Sequence, residues 1–172
     1  MNIVIINGSH RFNGNCAAFS NTARDFLKNH DHRVELFTLI QLNVLPCTGC
    51  LSCEDALECP LHDDFSSKIE PALKKADLII MATPTYFNMP SAAMVNYINR
   101  SNKLCEYFAA NHKKCLFYVV GQTDENTIRD AYNCLHTFGE VMEMEEIAEP
   151  IIQVARMPEA VSSNIFSTLE MI

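Results

Sequence analysis

The 172 residues are enough for one domain with a substantial core. Apolar residues make up 48% and charged residues 20%, a globular rather than a disordered balance. With 13 basic against 21 acidic side chains the net charge is −8, which argues against nucleic acid or an anionic membrane as a partner, since both need basic patches.

The chain opens on Asn2-Ile-Val-Ile-Ile6, a continuous β-branched run expected of a strand buried on both faces of a parallel sheet. It stops at Asn7-Gly8-Ser9, and from about Asn15 the spacing of Ala18, Phe19, Ala23, Phe26 and Leu27 is helical. His32 to Leu39 alternates as a second strand. Asp64 to Lys75 predicts a helix with Phe65, Ile69, Leu73 and Ala76 on one stripe. Asp77 to Ala82 is a third buried strand, broken by Thr83-Pro84. Ser91 caps a helix to about Tyr107, with Met94, Val95 and Ile98 inward. Cys115 to Val120 is a fourth strand ending at Gly121, Glu125 to Phe138 a helix, Glu145 to Val154 a fifth strand, and the tail from Pro158 a last short helix.

This alternation predicts an α/β fold over residues 1–172, a five-stranded parallel sheet with helices on both faces. One stretch breaks the rhythm, Gln41 to Asp63, and it carries four cysteines. Runs such as Leu78 to Ala82 are too short to span a bilayer, and Met1 to Ile6 is too short for a secretory leader. The expected location is therefore the cytoplasm, where thiols stay reduced and a cysteine cluster reads as a metal or redox site.

Ligands of open α/β sheets bind beyond the carboxyl ends of the strands. The first such loop, Gly8-Ser-His-Arg-Phe-Asn-Gly-Asn15, offers glycines, small polar side chains and a helix start that favours a phosphate. Arg11 adds a charge-assisted contact, and His10 stands beside it. The loop matches neither the GxGxxG fingerprint nor the Walker A pattern, and many strand–Gly–helix turns bind nothing. The second loop, Pro84 to Pro90, sets Tyr86 and Phe87 where they either lie against a flat ring or cover the core. The third, Gly121 to Asp124, is polar and uninformative alone.

Together, these loops resemble the NADPH-dependent FMN reductase branch of the flavodoxin-like superfamily. Gly8 to Cys16 resembles its GSxRxNGNT loop, and Ala76 to Arg100 its ADxIIxxSPxYxxxxSxxxKxxIDR stretch. The resemblance covers residues 2 to about 122. It implies a flavodoxin-like three-layer sandwich that binds FMN. Ser9, Arg11, Asn13, Asn15 and Cys16 would surround the phosphate. Pro84, Thr85, Tyr86, Phe87 and Asn88 would contact the isoalloxazine and ribityl chain, and Gly121 and Gln122 the ring's other edge. Cys16 stands where the family usually has Thr or Ser, and Asn88 where Gly is frequent.

Cys47-x2-Cys50-x2-Cys53-x5-Cys59-Pro60 resembles the compact [4Fe–4S] motif of iron–sulfur flavoproteins in the same superfamily. Structural zinc and a loop of reduced thiols without metal remain open; zinc normally takes two well-separated CxxC pairs. Cys105, Cys115 and Cys134 read as small core residues. The histidines show no metal or triad spacing, so no side-chain nucleophile or base is expected.

The function expected is that of an FMN-dependent oxidoreductase or electron-transfer flavoprotein. With a cluster, a ferredoxin-like donor fits; without one, NAD(P)H reduces FMN and a quinone or other small-molecule acceptor takes the electrons. A non-enzymatic electron carrier, or a thiol or metal-binding module on the same scaffold, is the alternative of another class. Leu42, Val44, Leu45, Leu51, Leu57 and Leu61 crowd the cysteine loop, which predicts a subunit contact in a homodimer or homotetramer.

Overall fold

A computed structural model of the chain describes residues 1–55, 58–155 and 163–172. Strand β1 (Asn2–Asn7) leads into helix α1 (Asn15–Asn29), then β2 (Arg33–Thr38). After the cysteine loop, which holds the short α2 (Ser52–Asp55), come α3 (Glu70–Lys75), β3 (Leu78–Tyr86) and β4 (Met89–Pro90). Next are α4 (Ala92–Ser101), α5 (Cys105–Ala110), β5 (Lys114–Gly121) and α6 (Glu125–Val141). The chain ends on β6 (Glu145–Glu146), β7 (Ile151–Val154) and α7 (Ser163–Leu169). The strand order is β2-β1-β3-β5-β6, with β7 also on β5 and β4 on β3. All pairs are parallel except β3 with β4.

The period-2 geometry of strands divides the core cleanly. Ile3, Ile5, Leu78, Ile80, Leu116 and Tyr118 face one side, where α1 and α7 pack with Phe19, Ala23, Leu27 and Ile165. Val4, Ile6, Ile79, Met81, Phe117 and Val119 face the other, under α3 to α6. The expected helix–sheet–helix layering is therefore present. Because the chain runs from β1 out to β2 and back to β3 across β1, the loops after β1 and β3 part around a crevice at the sheet's carboxyl edge.

Five expectations need correction. β3 does not break at Thr83-Pro84 but runs to Tyr86, because Pro84 falls between its register with β1, which ends at Ala82, and that with β4, which starts at Thr85. A missing N–H is harmless there. The fifth strand is split into β6 and β7. The helix over residues 64–75 opens with a π turn, Phe65–Ile69, ahead of Pro71, whose ring has no place against a regular preceding turn. The helix from Ser91 is interrupted after Ser101, whose hydroxyl bonds back to the Tyr97 carbonyl at 2.8 Å: a 3₁₀ turn, Asn102–Leu104, links α4 to α5; Tyr97 is buried, while Val95 is exposed. Of the three cysteines read as core residues only Cys115 is buried, and Cys134 is exposed. Leu57 and the start of the tail from Pro158 lie outside the described residues.

Candidate functional site

At the carboxyl edge the loops after β1, β3 and β5 enclose a cleft of about 360 Å³, within the usual size for a small-molecule site. The β1 loop brings Ser9, Arg11, Asn15 and Cys16 to its wall, together with Gly14. β3 and its turn bring Pro84, Thr85, Tyr86 and Phe87, and the end of β5 brings Gly121 and Gln122. Val120, Thr123 and Ala155 line it too, and sequence reasoning missed them. Ala155 arrives because its N–H bonds the Gly121 carbonyl at 2.9 Å, a pairing with no local signal. Asn13 and Asn88 stand outside the wall. Asn13 is exposed in the turn before α1, and the Asn88 amide donates to Asp130 Oδ2 on α6 at 3.2 Å.

One end of the cleft is built for an anion. Helix α1 starts behind Gly14, an N-cap with no side-chain hydrogen bond, and its first turn holds no acidic residue. Its first turn and dipole therefore face the cleft with no capping side chain and no carboxylate between. The Ser9 hydroxyl accepts from the Arg11 N–H at 3.0 Å, and the Ser9 N–H donates to Asn7 Oδ1 at 2.9 Å. Ser9 thus shapes the loop from inside it. Cys16 is buried at the start of α1, and burial pushes its thiol well above the ordinary range, so it stays protonated.

The other end is flat and stiff. Phe87 and Asn88 form a two-residue turn between β3 and β4 with φ of 49° and 62°. Both are left-handed, as a type I′ hairpin demands, and Asn tolerates this almost as Gly does. A bulky residue does not, and the strained Phe87 side chain is held out 96% exposed. Ser91 knots the walls together: its hydroxyl donates to the Gly8 carbonyl at 2.5 Å and accepts from the Met94 N–H at 3.1 Å, and its own N–H reaches Thr83 Oγ1 at 3.0 Å. Sequence reasoning saw only a helix cap there. Gly121 allows no side chain, since a Cβ would stand 2.6 Å from Thr85 Oγ1 and 2.7 Å from Ile128 Cγ1.

Across Tyr86 and Phe87 runs a broader apolar groove of about 940 Å³, which passes His10, Leu42, Val44 and Met89 and ends at Cys47. Beyond it, Cys47, Cys50, Cys53 and Cys59 line one small pocket of about 30 Å³ against Asn99, Arg100, Asn102 and Lys103. Gly49 and Leu51 are both left-handed, with φ of 65° and 61°, so the chain turns sharply on each side of Cys50. Hydrogen bonds from Ser52, then Thr48, hold the Cys50 thiol below its ordinary range. Asn102 Nδ2 lies 3.8 Å from Cys53 Sγ. Among the described residues no three His, Cys, Asp or Glu side chains stand at metal-holding geometry. Of the leucines expected at a subunit contact, Leu42, like Val44, packs on the chain's own core, while Leu45 and Leu51 are exposed.

Residues 1–157 match the NADPH-dependent FMN reductase family. The chain belongs to this family. As a member it is a flavin-dependent oxidoreductase, and among the described residues no helix is long and apolar enough to cross a membrane. An iron–sulfur flavoprotein of Methanocaldococcus jannaschii is 30% identical over 137 residues, 77% of this chain and 70% of that protein. The fold is shared with an apo NADH:FMN oxidoreductase (TM-score 0.65, 18% identity, 97% of this chain and 83% of that one). It is also shared with a flavodoxin of Agrobacterium tumefaciens (TM-score 0.61, 13% identity, 98% and 90%).

Proposed function

We propose that the chain, as a single FMN-binding domain over residues 1–172 with the cysteine-rich insertion at 41–63, is an electron-transferring FMN oxidoreductase of the cytoplasm. The observation that carries this is the cleft in which an uncapped helix start and Arg11 face a flat wall at Tyr86 and Gly121. The residues fit FMN: the first-turn N–H groups of α1 and the Arg11 guanidinium take its phosphate, and the protonated Cys16 lends bulk in place of a hydroxyl donor. Ser9 holds that loop in register. Pro84, Thr85, Tyr86 and Phe87 border the ring on one side, Gly121 and Gln122 on the other. Bound there, FMN supplies reversible one- and two-electron chemistry, so no side chain needs to act as nucleophile or base.

The four cysteines fit a [4Fe–4S] cluster by donor chemistry. They are unbridged thiols around one pocket that Arg100 and Lys103 also line, each cation already paired, with Asp63 and with Glu70. Cys47 also lies on the groove that reaches Tyr86 and Phe87, so a cluster there would neighbour the flavin, and a ferredoxin-like protein would be the matching donor. A second reading keeps the thiols bare, with NAD(P)H as donor and a quinone or similar small molecule as acceptor in the apolar groove. The family's name favours NADPH for that case.

Two measurements test this. Mass spectrometry of the released cofactor should give FMN, and Arg11→Ala should weaken its binding by about 1–3 kcal/mol, as expected for a charged hydrogen bond. FAD as the sole species defeats the reading. Iron analysis after anaerobic reconstitution should show iron that any one of Cys47, Cys50, Cys53 or Cys59→Ser removes while FMN stays. Full iron in Cys53→Ser breaks the ligand set, and no iron in the wild type favours the bare thiols.

A further inference from the structure

A loop of thiols can act as one ligand set only if its ends are fixed. Among the described residues of 46–62 only the short α2 is regular, so the grip on the loop must come from outside. It comes from α4. Arg100 is 3% exposed and makes a two-pronged bond to Asp63, Nη1 to Oδ2 and Nη2 to Oδ1, the latter at 3.1 Å. Nη1 also donates to the Leu45 carbonyl at 2.8 Å, and Asp63 Oδ2 accepts the Leu45 N–H at 2.8 Å. Both backbone polar groups of Leu45, two residues before Cys47, are thus held by the same ion pair that anchors the chain after Cys59. Asp63 Oδ1 accepts from the N–H of Phe65 at 3.0 Å and of Ser66 at 3.2 Å, and the guanidinium carbon lies 4.9 Å from the Phe65 ring centroid.

One donor is left over. Arg100 Nε is buried with no hydrogen-bond partner among the described residues. Such an orphan in a fully packed place calls for an explanation, and an unplaced ligand is among the usual ones. Arg100 lines the cysteine pocket together with Cys59.

We propose that Arg100 is the positioning residue of the cysteine site: through Asp63 and Leu45 it clasps both ends of the loop, and it keeps Nε–H for a sulfur in the pocket beside Cys59. The second half rests on the reading of the four cysteines as one ligand set. An N–H aimed at a thiolate or sulfide stabilises the more negative, reduced state, so it raises the potential of a cluster held there. Lysine keeps the charge but has neither the planar fork nor an Nε–H.

The test uses the full FMN-loaded chain as wild type, Arg100→Lys and Asp63→Asn. Amide exchange is measured before iron is supplied, and the midpoint potential after anaerobic loading with iron and sulfide. In Arg100→Lys the Leu45, Phe65 and Ser66 amides should exchange at least tenfold faster while β1 and β5 keep their rates. Its midpoint should move negative. Asp63→Asn should loosen the same three amides, which keeps the clasp testable if Arg100→Lys fails to fold. Unchanged protection in the variants overturns the clasp. A loosened loop with the wild-type midpoint overturns the Nε assignment. A wild type that takes up no iron defeats the four-cysteine ligand set and the Nε half with it, and the clasp then stands or falls on exchange alone.

Discussion

Gly121 shows how much one hydrogen atom decides in this cleft. A methyl at that position meets Thr85 Oγ1 at 2.6 Å and Ile128 Cγ1 at 2.7 Å, so β3, α6 or both must shift. Gly121→Ala should lower stability by about 1–3 kcal/mol, in the range of overpacked cores. It should also weaken FMN about tenfold or more, roughly 1.4 kcal/mol, because Thr85 is a wall of the site. Thermal melts and fluorescence titration read the two effects, and an alanine variant with wild-type affinity would show that the wall tolerates the shift. From its neighbours in sequence this residue was a glycine after a strand, and only the family resemblance put it at the ring's edge. Its meaning comes from Thr85 and Ile128, which the fold brings from elsewhere. Arg100 was unreadable for the same reason: its partners Asp63 and Leu45 lie 37 and 55 residues away. The place of the loop from Gly8 to Asn15 on the cleft wall, by contrast, was legible because it follows from the strand–loop–helix pattern of its own residues.

At the scale of elements, helix α6 is pinned to the sheet edge by His136. Its Nδ1 pairs with Glu146 on β6, whose other oxygen accepts from Tyr132 OH at 3.0 Å, and Nε2 lies 3.7 Å from Glu140. The Glu146 carboxylate holds the imidazolium above its ordinary range, and burial beside Glu146 pushes Tyr132 up to about 12. A raised histidine stabilises the fold fully below the unfolded value of about 6.5 and loses that contribution as the pH climbs through the folded value. The edge should therefore be firmer at pH 6 than at pH 8. The effect is small, since half-exposed pairs contribute at most about 1 kcal/mol. Melting curves at the two pH values should differ less in His136→Gln than in the wild type; an equal difference would clear His136 of the role. Elements whose periodicity was strong, such as β1 and α1, appear where their patterns put them. Those that were misread failed at Pro71, Pro84 and Ser101, where backbone hydrogen bonding rather than side-chain spacing sets the outcome.

The layering of the whole molecule was legible because strand and helix alternate without a break outside residues 41–63. Which apolar side chains stay on the surface was not, since exposure is a property of the folded surface. Ile40, Tyr86, Phe87, Met89 and Val95 are all exposed around the apolar groove. Such a patch is the kind that subunits cover. Sedimentation of the holo-protein at micromolar concentration should therefore show a dimer or tetramer of the 19.4 kDa chain. A clean monomer would leave the groove to a small molecule alone. The Ser91 knot carries a last consequence. Because the β1 loop, β3 and α4 all close on one serine, through its hydroxyl and its backbone N–H, neither wall of the cleft can relax without dragging the other. A cage of that kind hardly rearranges when the charge on its occupant changes, and a redox site that need not reorganise can hand electrons on quickly.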